Sequence, residues 1–195
     1  GTSGVCEALG LKSCAVAPPA AERGETGADV TVAWSLSKRP KSATLDDKAR
    51  ETASKGTTRA GGNLKADKTY TLKATDARNA VATRTAVVAF RDKRHWWVAV
   101  SLDAAGVTDQ IINQATGELA AWYSKTFTLN AAAGQHIYYA FPASWGTPRF
   151  FVGGFEGGFA LLKTFDHKNA SGATISYAVW KSTNAGLGNT TVEVK

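Results

Sequence analysis

A chain of 195 residues with 44% hydrophobic and 20% charged side chains is long enough to bury a sizeable core, which excludes a disordered or low-complexity polymer. The formal net charge of +7 is unevenly placed: Lys38–Arg94 holds 15 basic and 6 acidic residues, whereas His95–Lys195 holds 6 of each. No apolar run approaches the ~20 residues that a bilayer-crossing helix needs, so no membrane insertion is expected.

Methionine is absent, even at position 1, as expected of a fragment or a processed chain. Small residues around Pro18-Pro19, followed by the charged, glycine-containing Glu22–Gly27, make residues 1–28 read as a linker or stalk exit. One short helical turn is expected between Cys6 and Cys14. Those two cysteines cannot build a four-ligand zinc site and lack redox C-x-x-C spacing; a local disulfide, interchain bridges and free thiols all stay open.

Alternation begins at Val30. Val30, Val32, Trp34 and Leu36 share one face and Thr31, Ala33, Ser35 and Ser37 the other, the period of a half-buried antiparallel strand. A short strand at Ser42–Leu45 and a polar excursion at Asp46–Lys55 follow. Tyr70, Leu72 and Ala74 mark a strand at Thr69–Thr75, and Asp76–Asn79 is a hairpin turn leading into Ala80–Phe90. Short strands around one buried Trp predict an immunoglobulin-like sandwich over residues 29–91.

Arg91–Arg94 reads as a charged hinge, after which residues 92–195 make a second unit. His95-Trp96-Trp97 opens a strand through Val98 and Val100. Thr108 is placed to cap a helix bearing Ile111, Ile112 and Ala115, with Val107 stapling onto Ile112 and Gly117 as the stop. Lys125–Leu129 alternates, and His136–Phe141 is apolar on nearly every position. Pro142–Pro148 is a turn, Phe150–Val152 a strand before a double glycine, and Phe159–Phe165, Ala173–Ser182 and Asn189–Lys195 complete the strands. The fold class is therefore mainly β: two antiparallel β-sandwich units in series, the distal one with one short helix. A strand apolar on both sides needs cover on both sides, from a second sheet, another domain or another chain.

Chemistry is hard to find. Glu156 and Asp166 are the only acids that suggest a glycosidase pair, and their surroundings read as loops. No Gly-x-Ser-x-Gly elbow exists, His136 and His167 fit no triad order, and Gly153–Gly158 lacks the lysine and helix of a phosphate loop. No catalytic residue, metal or cofactor is expected. The positive field of the first half suits an anionic surface, such as lipopolysaccharide, acidic polysaccharide or nucleic acid, or serves only as a solubilising face. RNA stacking would need aromatics among the basic residues, and here they lie in opposite halves.

Trp96, Trp97, Tyr123, Trp145 and Phe155 fall at hinges or turns, where a large ring either packs locally or is offered to a ligand. Trp145, in the turn Ala143–Thr147, is the first of these nominations.

Val30–Asp47, with its Trp strand and Lys-Arg-Pro turn, and Leu64–Phe90, with Tyr-Thr-Leu-Lys-Ala-Thr-Asp and the exit Val-Val-Ala-Phe, resemble the immunoglobulin-like modules of bacteriophage tail and virion proteins. His136–Phe159 and Asn169–Gly188 are similar to the C-terminal β-sandwich of the same proteins, in a Tyr-rich strand before a Pro-Gly turn and a Gly-rich, Asn-containing end. The resemblance covers Asp29–Lys195. It implies a tail fibre or tail-tip component on the virion surface, a homotrimer next to other virion proteins, that attaches without catalysis to a host surface polysaccharide or protein. A structural decoration or capping protein and a carbohydrate-binding module of a secreted protein are the alternatives, and nucleic acid is not an expected partner.

Overall fold

The computed structural model describes residues 9–26, 29–62 and 64–195. The strands are β1 (Leu11–Ala17), β2 (Ala20–Glu22), β3 (Val30–Leu36), β4 (Ser42–Leu45), β5 (Lys48–Arg50), β6 (Lys55–Gly61), β7 (Lys68–Thr75) and β8 (Val81–Val100). After the helix α1 (Asp109–Gln114) come β9 (Thr116–Ala120), β10 (Lys125–Ala131), β11 (Gln135–Pro142), β12 (Phe150–Val152), β13 (Phe155–Glu156), β14 (Phe159–Lys168), β15 (Thr174–Ser182) and β16 (Gly188–Val194). The chain is mainly β and divides into two compact units. The first is drawn from the described parts of Gly1–Ala21 and Glu25–Phe90, the second from Glu22–Gly24 and Arg91–Lys195.

In the first unit a sheet ordered β1-β3-β6 packs on one that runs β8-β7-β4-β5. The alternation of β3 does what its period dictates: Val30, Val32, Trp34 and Leu36 are buried among Leu45, Tyr70, Leu72, Val88 and Phe90. Each such side chain, fully buried, stabilises by about 1.5–3 kcal/mol. Trp34 needs room, and its partner across the ladder is Gly56, where a Cβ would overlap the indole.

Three expectations are corrected here. Residues 1–28 are not all linker, because β1 pairs along β3 and β2 pairs with β8. Cys14, expected in a helical turn, lies in β1 opposite Trp34, while Cys6 lies outside the described residues. The polar excursion Asp46–Lys55 contains β5 and leads into β6. These segments show little apolar alternation because few of their side chains reach the core: Leu11, Cys14, Val16 and Ala60 do, and most of the rest stay in solvent. Their strand state comes from the neighbour they bond to.

The second unit is built around β11. One sheet runs β14-β15-β11-β8 with β9 also on β8, and a second runs β10-β16-β12-β13. Ile137, Tyr139 and Phe141 enter a core with Phe127, Phe150, Val192 and Val194 between the sheets. Tyr138 and Ala140, on the opposite face, pack with Tyr177, Val179, Val107 and Ile112 beneath α1. Both faces of β11 are therefore covered from within the unit, and it needs no neighbouring subunit to do so.

The helix forms as its signals dictate, with Thr108 as N-cap accepting from the Ile111 N–H and with Val107 and Ile112 fully buried. Gly117 is not its stop. The helix ends at Ala115, and Gly117 stands in β9 opposite His95, where a Cβ would run into the imidazole.

Arg91–Arg94 is strand, part of β8. Three of its four charges are paired: Asp92 with Arg23, Lys93 with Glu22, and Arg94 with Glu118. Glu22 also accepts from the Ser171 hydroxyl at 2.7 Å, and Asn169 donates to the Arg23 carbonyl at 2.8 Å. Glu22–Gly24, which reads as solvated linker, is thus bonded into the second unit. Paired charges look in sequence the same as solvated ones.

Candidate functional site

The five nominated rings part company in the structure. Trp96 and Trp97 stand next to each other on β8, so their side chains leave opposite faces of the sheet. Trp96 stacks on Phe127 at 5.6 Å with the Lys125 ammonium 5.1 Å from its ring, and Trp97 stacks on Tyr138 at 5.2 Å. Tyr123 is buried against Phe141, and its carbonyl receives the Tyr139 hydroxyl at 2.6 Å. Trp145 is half-buried in a 3-10 turn (Ala143–Trp145) and stacks on Phe141 at 6.0 Å, which makes it part of the shell around the inter-sheet core.

Phe155 differs. It is 82% exposed, more than any other large apolar side chain among the described residues. It sits where β12 turns into β13, with Val152 paired to Phe155 and Phe151 to Glu156, so that Gly153 and Gly154 form a two-residue turn. Both glycines have positive φ, 57° and 87°, the sign that a primed hairpin turn requires at its two central positions. Nothing crowds either position, so the demand for glycine comes from the backbone and not from space.

The hairpin is stiffened from one side. Arg149 Nε and Nη2 donate to the two carboxylate oxygens of Glu156 at 2.9 and 3.1 Å, a bidentate pair, and the Arg149 guanidinium lies 5.2 Å from the Phe151 ring. The hydrogen bonds from Arg149 hold the Glu156 carboxyl below the usual carboxylate range. Next to Phe155 a shallow depression of ≈ 210 Å³ is lined by Val152, Glu156, Gly157, Gly158, Asn184 and Leu187. Such a place offers an apolar ring face, an amide and a paired charge: the chemistry of contact, through stacking on a sugar ring or wedging into a protein surface.

The remaining titratable cluster is internal. His95 and His167 flank Tyr177 at 6.5 and 4.8 Å between ring centres, and His167 Nδ1 meets Asp109 Oδ1 at 2.7 Å. His167 is fully buried and His95 almost so, and burial takes His95 down to about 4. The Tyr177 hydroxyl donates to the Lys93 carbonyl at 2.7 Å. His136, the third histidine, has Nδ1 2.8 Å from the Ser182 carbonyl. No group of three or more His, Cys, Asp and Glu side chains converges among the described residues.

Sequence reasoning missed Trp122, 47% exposed and packed at 4.3 Å on Tyr123. The adjacent Trp-Tyr pair in the short link between β9 and β10 was the available signal, since only one of two neighbouring rings can enter the core.

No protein-family description and no curated protein matches the chain. Among solved structures the chain shows a slight likeness to an α-L-rhamnosidase from Dictyoglumus thermophilum, at 12% identity and a TM-score of 0.23, covering 90% of this chain. The chain spans 23% of that enzyme's length, and a likeness of this size carries no argument about fold or function.

Proposed function

We propose that this chain is a non-catalytic attachment module of a bacteriophage tail fibre or related virion appendage, which holds a host surface polysaccharide or protein. The observation that carries the reading is the exposed Phe155 ring, presented on a glycine-turned hairpin above a small depression while its neighbouring rings are drawn into packing. A solvent-facing phenyl ring contributes little to its own fold, and its presentation on a stiffened hairpin suits contact with a partner. Support also comes from the carboxylates. Glu156 has both oxygens occupied by Arg149 and a lowered pKa, which suits an ion pair and not a general acid that must carry a proton.

Fluorescently labelled protein is expected to bind at least one polysaccharide on an array of bacterial surface glycans, or intact cells in a panel of bacteria. Phe155→Ala should lower that binding by about tenfold, the loss expected when a central ring is removed from a contact. No binding to any glycan or cell sinks the attachment reading in favour of structural decoration. Equal binding by Phe155→Ala removes the hairpin from it.

The resemblance also makes the working form a homotrimer. Because β11 is covered within its own unit, the subunit seam would involve other surfaces than the run Tyr138–Phe159. Light scattering should give three times the chain mass at micromolar concentration, and a monomer there removes the trimer.

A further inference from the structure

Part of the first unit's positive charge lies at one end of the β1-β3-β6 sheet. An open depression of ≈ 640 Å³ lies there, lined by Lys12 of β1, Ser35 and Leu36 at the end of β3, Ser37, Lys38 and Arg39 of the following loop, and Ala53, Ser54 and Lys55 leading into β6. Four cationic side chains line it, and among the described residues no carboxylate does.

The register explains the convergence. Ser35, an outward residue of β3, pairs with Ser13 on one side and with Lys55 on the other, and Lys12 lies at the irregularity between Leu11 and Ser13. Two backbone bonds and one to a side chain fix the end of the sheet: Leu36 N–H to the Ser54 carbonyl at 2.7 Å, Ser37 N–H to the Gly10 carbonyl at 2.8 Å, and Gly10 N–H to Ser37 Oγ at 2.8 Å. Arg39 Nε donates to the Thr52 carbonyl at 2.8 Å, which anchors the guanidinium and leaves its two terminal nitrogens for a ligand. Lys38 has a distant carboxylate, Asp76, at 3.9 Å. Asp76 is itself committed to the N–H groups of Arg78 and Ala80. Away from the basin, Arg59 pairs with Asp29 and Lys68 with Asp46. Lys12 and Lys55 form no ion pair with a carboxylate among the described residues.

We infer that this basin binds a carboxylate-bearing polysaccharide, with Lys12, Lys55 and Arg39 holding the uronate groups and Ser35 and Ser54 meeting the sugar hydroxyls. Uncompensated cations held over a fixed floor attract an anion without first having to reorganise. Serine hydroxyls interleaved with the cations match a ligand that alternates hydroxyl and carboxylate. Among the described residues no aromatic ring lines the basin, so a nucleic acid would find phosphate contacts there but nothing on which to stack a base. The inference deepens the attachment reading, and rests on it for the choice of a surface glycan.

The probe is a size-defined polygalacturonate fragment, with its methyl ester as the uncharged counterpart and an oligothymidylate as the nucleic-acid arm. The protein should bind polygalacturonate at low salt, and the double variant Lys12→Gln/Lys55→Gln should bind about tenfold more weakly with a shallower salt dependence. The methyl ester and the oligothymidylate should bind more weakly than polygalacturonate. Lys48→Gln/Lys73→Gln, on the sheet across the core, removes the same charge elsewhere and should leave binding unchanged. Undiminished binding by Lys12→Gln/Lys55→Gln, equal loss in the Lys48→Gln/Lys73→Gln control, or equal binding of the methyl ester each overturns the inference. Tighter binding of oligothymidylate through the same lysines overturns the polysaccharide assignment and makes the basin a nucleic-acid face. Lys12 and Lys55 are exposed, so an unchanged near-ultraviolet circular dichroism spectrum is expected to accompany the loss. The same proteins on the glycan array and cell panel separate the two readings. Array binding and polygalacturonate binding that both survive Lys12→Gln/Lys55→Gln keep attachment and discard the basin. Polygalacturonate binding lost in that variant, by a protein that binds no bacterial glycan or cell, keeps the basin and discards attachment.

Discussion

The two units solve the same problem, a core between sheets, with different materials. The first packs aliphatic side chains around one indole, with Tyr70 and Phe90 as its other buried rings, and has no buried histidine; its buried ionisable groups are Tyr70 and, at a turn, Asp76. The second packs ring against ring and takes Tyr138, Tyr139, Tyr177, His95 and His167 inside with their polar atoms. A phenol in a core demands a partner: Tyr138 shares its hydroxyl with Leu102, Tyr139 donates to Tyr123 and Tyr177 to Lys93, all through backbone groups of other segments. Those bonds fix loops that apolar contact alone would leave free to slide. The cost is sensitivity to protons, which the first core does not share.

Acid is the strongest test of that contrast. All three histidines lie in the second unit, and burial first, then the His167 and Lys93 charges, hold His95 down at about 4. An unfolded histidine takes up its proton near pH 6.5. Between these values the unfolded chain binds more protons than the folded one, so stability falls as pH falls, by about 3 kcal/mol once pH 4 is passed. The first unit should not move in this window. Its turn carboxyl Asp76, held low by the Ala80 and Arg78 N–H groups, loses its contribution only as pH drops below the ordinary carboxylate value. Hydrogen exchange read by peptide, from pH 7 to pH 4, should therefore show β15 and β11 losing protection while β3 and β7 keep theirs. Parallel loss in both units would erase the distinction.

Glycine substitutions come next. Gly56→Ala presses on Trp34 in the first unit and Gly117→Ala on His95 in the second, and each should destabilise by about 2–3 kcal/mol, the cost of overpacking against a ring that cannot retreat. The same exchange measurement should localise each loss to its own unit. Smallest is Phe155→Ala, which removes a ring that buries little and should change stability by less than about 0.5 kcal/mol while lowering glycan or cell binding. A large loss of stability there would return Phe155 to the packing class of Trp145.

How far the sequence reached varied with the element. Val30–Leu36 and the Thr108-capped helix were legible because a period of two and a capping hydroxyl are local facts that survive into the fold. β1, β5 and β6 were not, because small and charged residues become strands only when a neighbour's ladder recruits them. The site divided the same way. Five rings at hinges and turns could be named, but four of them found partners: Phe127, Tyr138 and Phe141 claim Trp96, Trp97, Tyr123 and Trp145. The basin of Lys12 and Lys55 was out of reach, because 42 positions separate those residues in the chain and β3 alone joins them.

By itself the sequence determined that the chain is a mainly β protein in two parts, with a basic first half and an aromatic second, because composition and short-range alternation set which residues leave water and on which face. It also determined that His136–Phe141 must be covered twice. The tertiary structure decided what covers it, a second sheet on one side and α1 on the other. It also decided that Phe155 alone of the five rings stays in solvent. Cover and exposure depend on which distant segments fill the space around a side chain, and nothing within a few residues of that side chain records it.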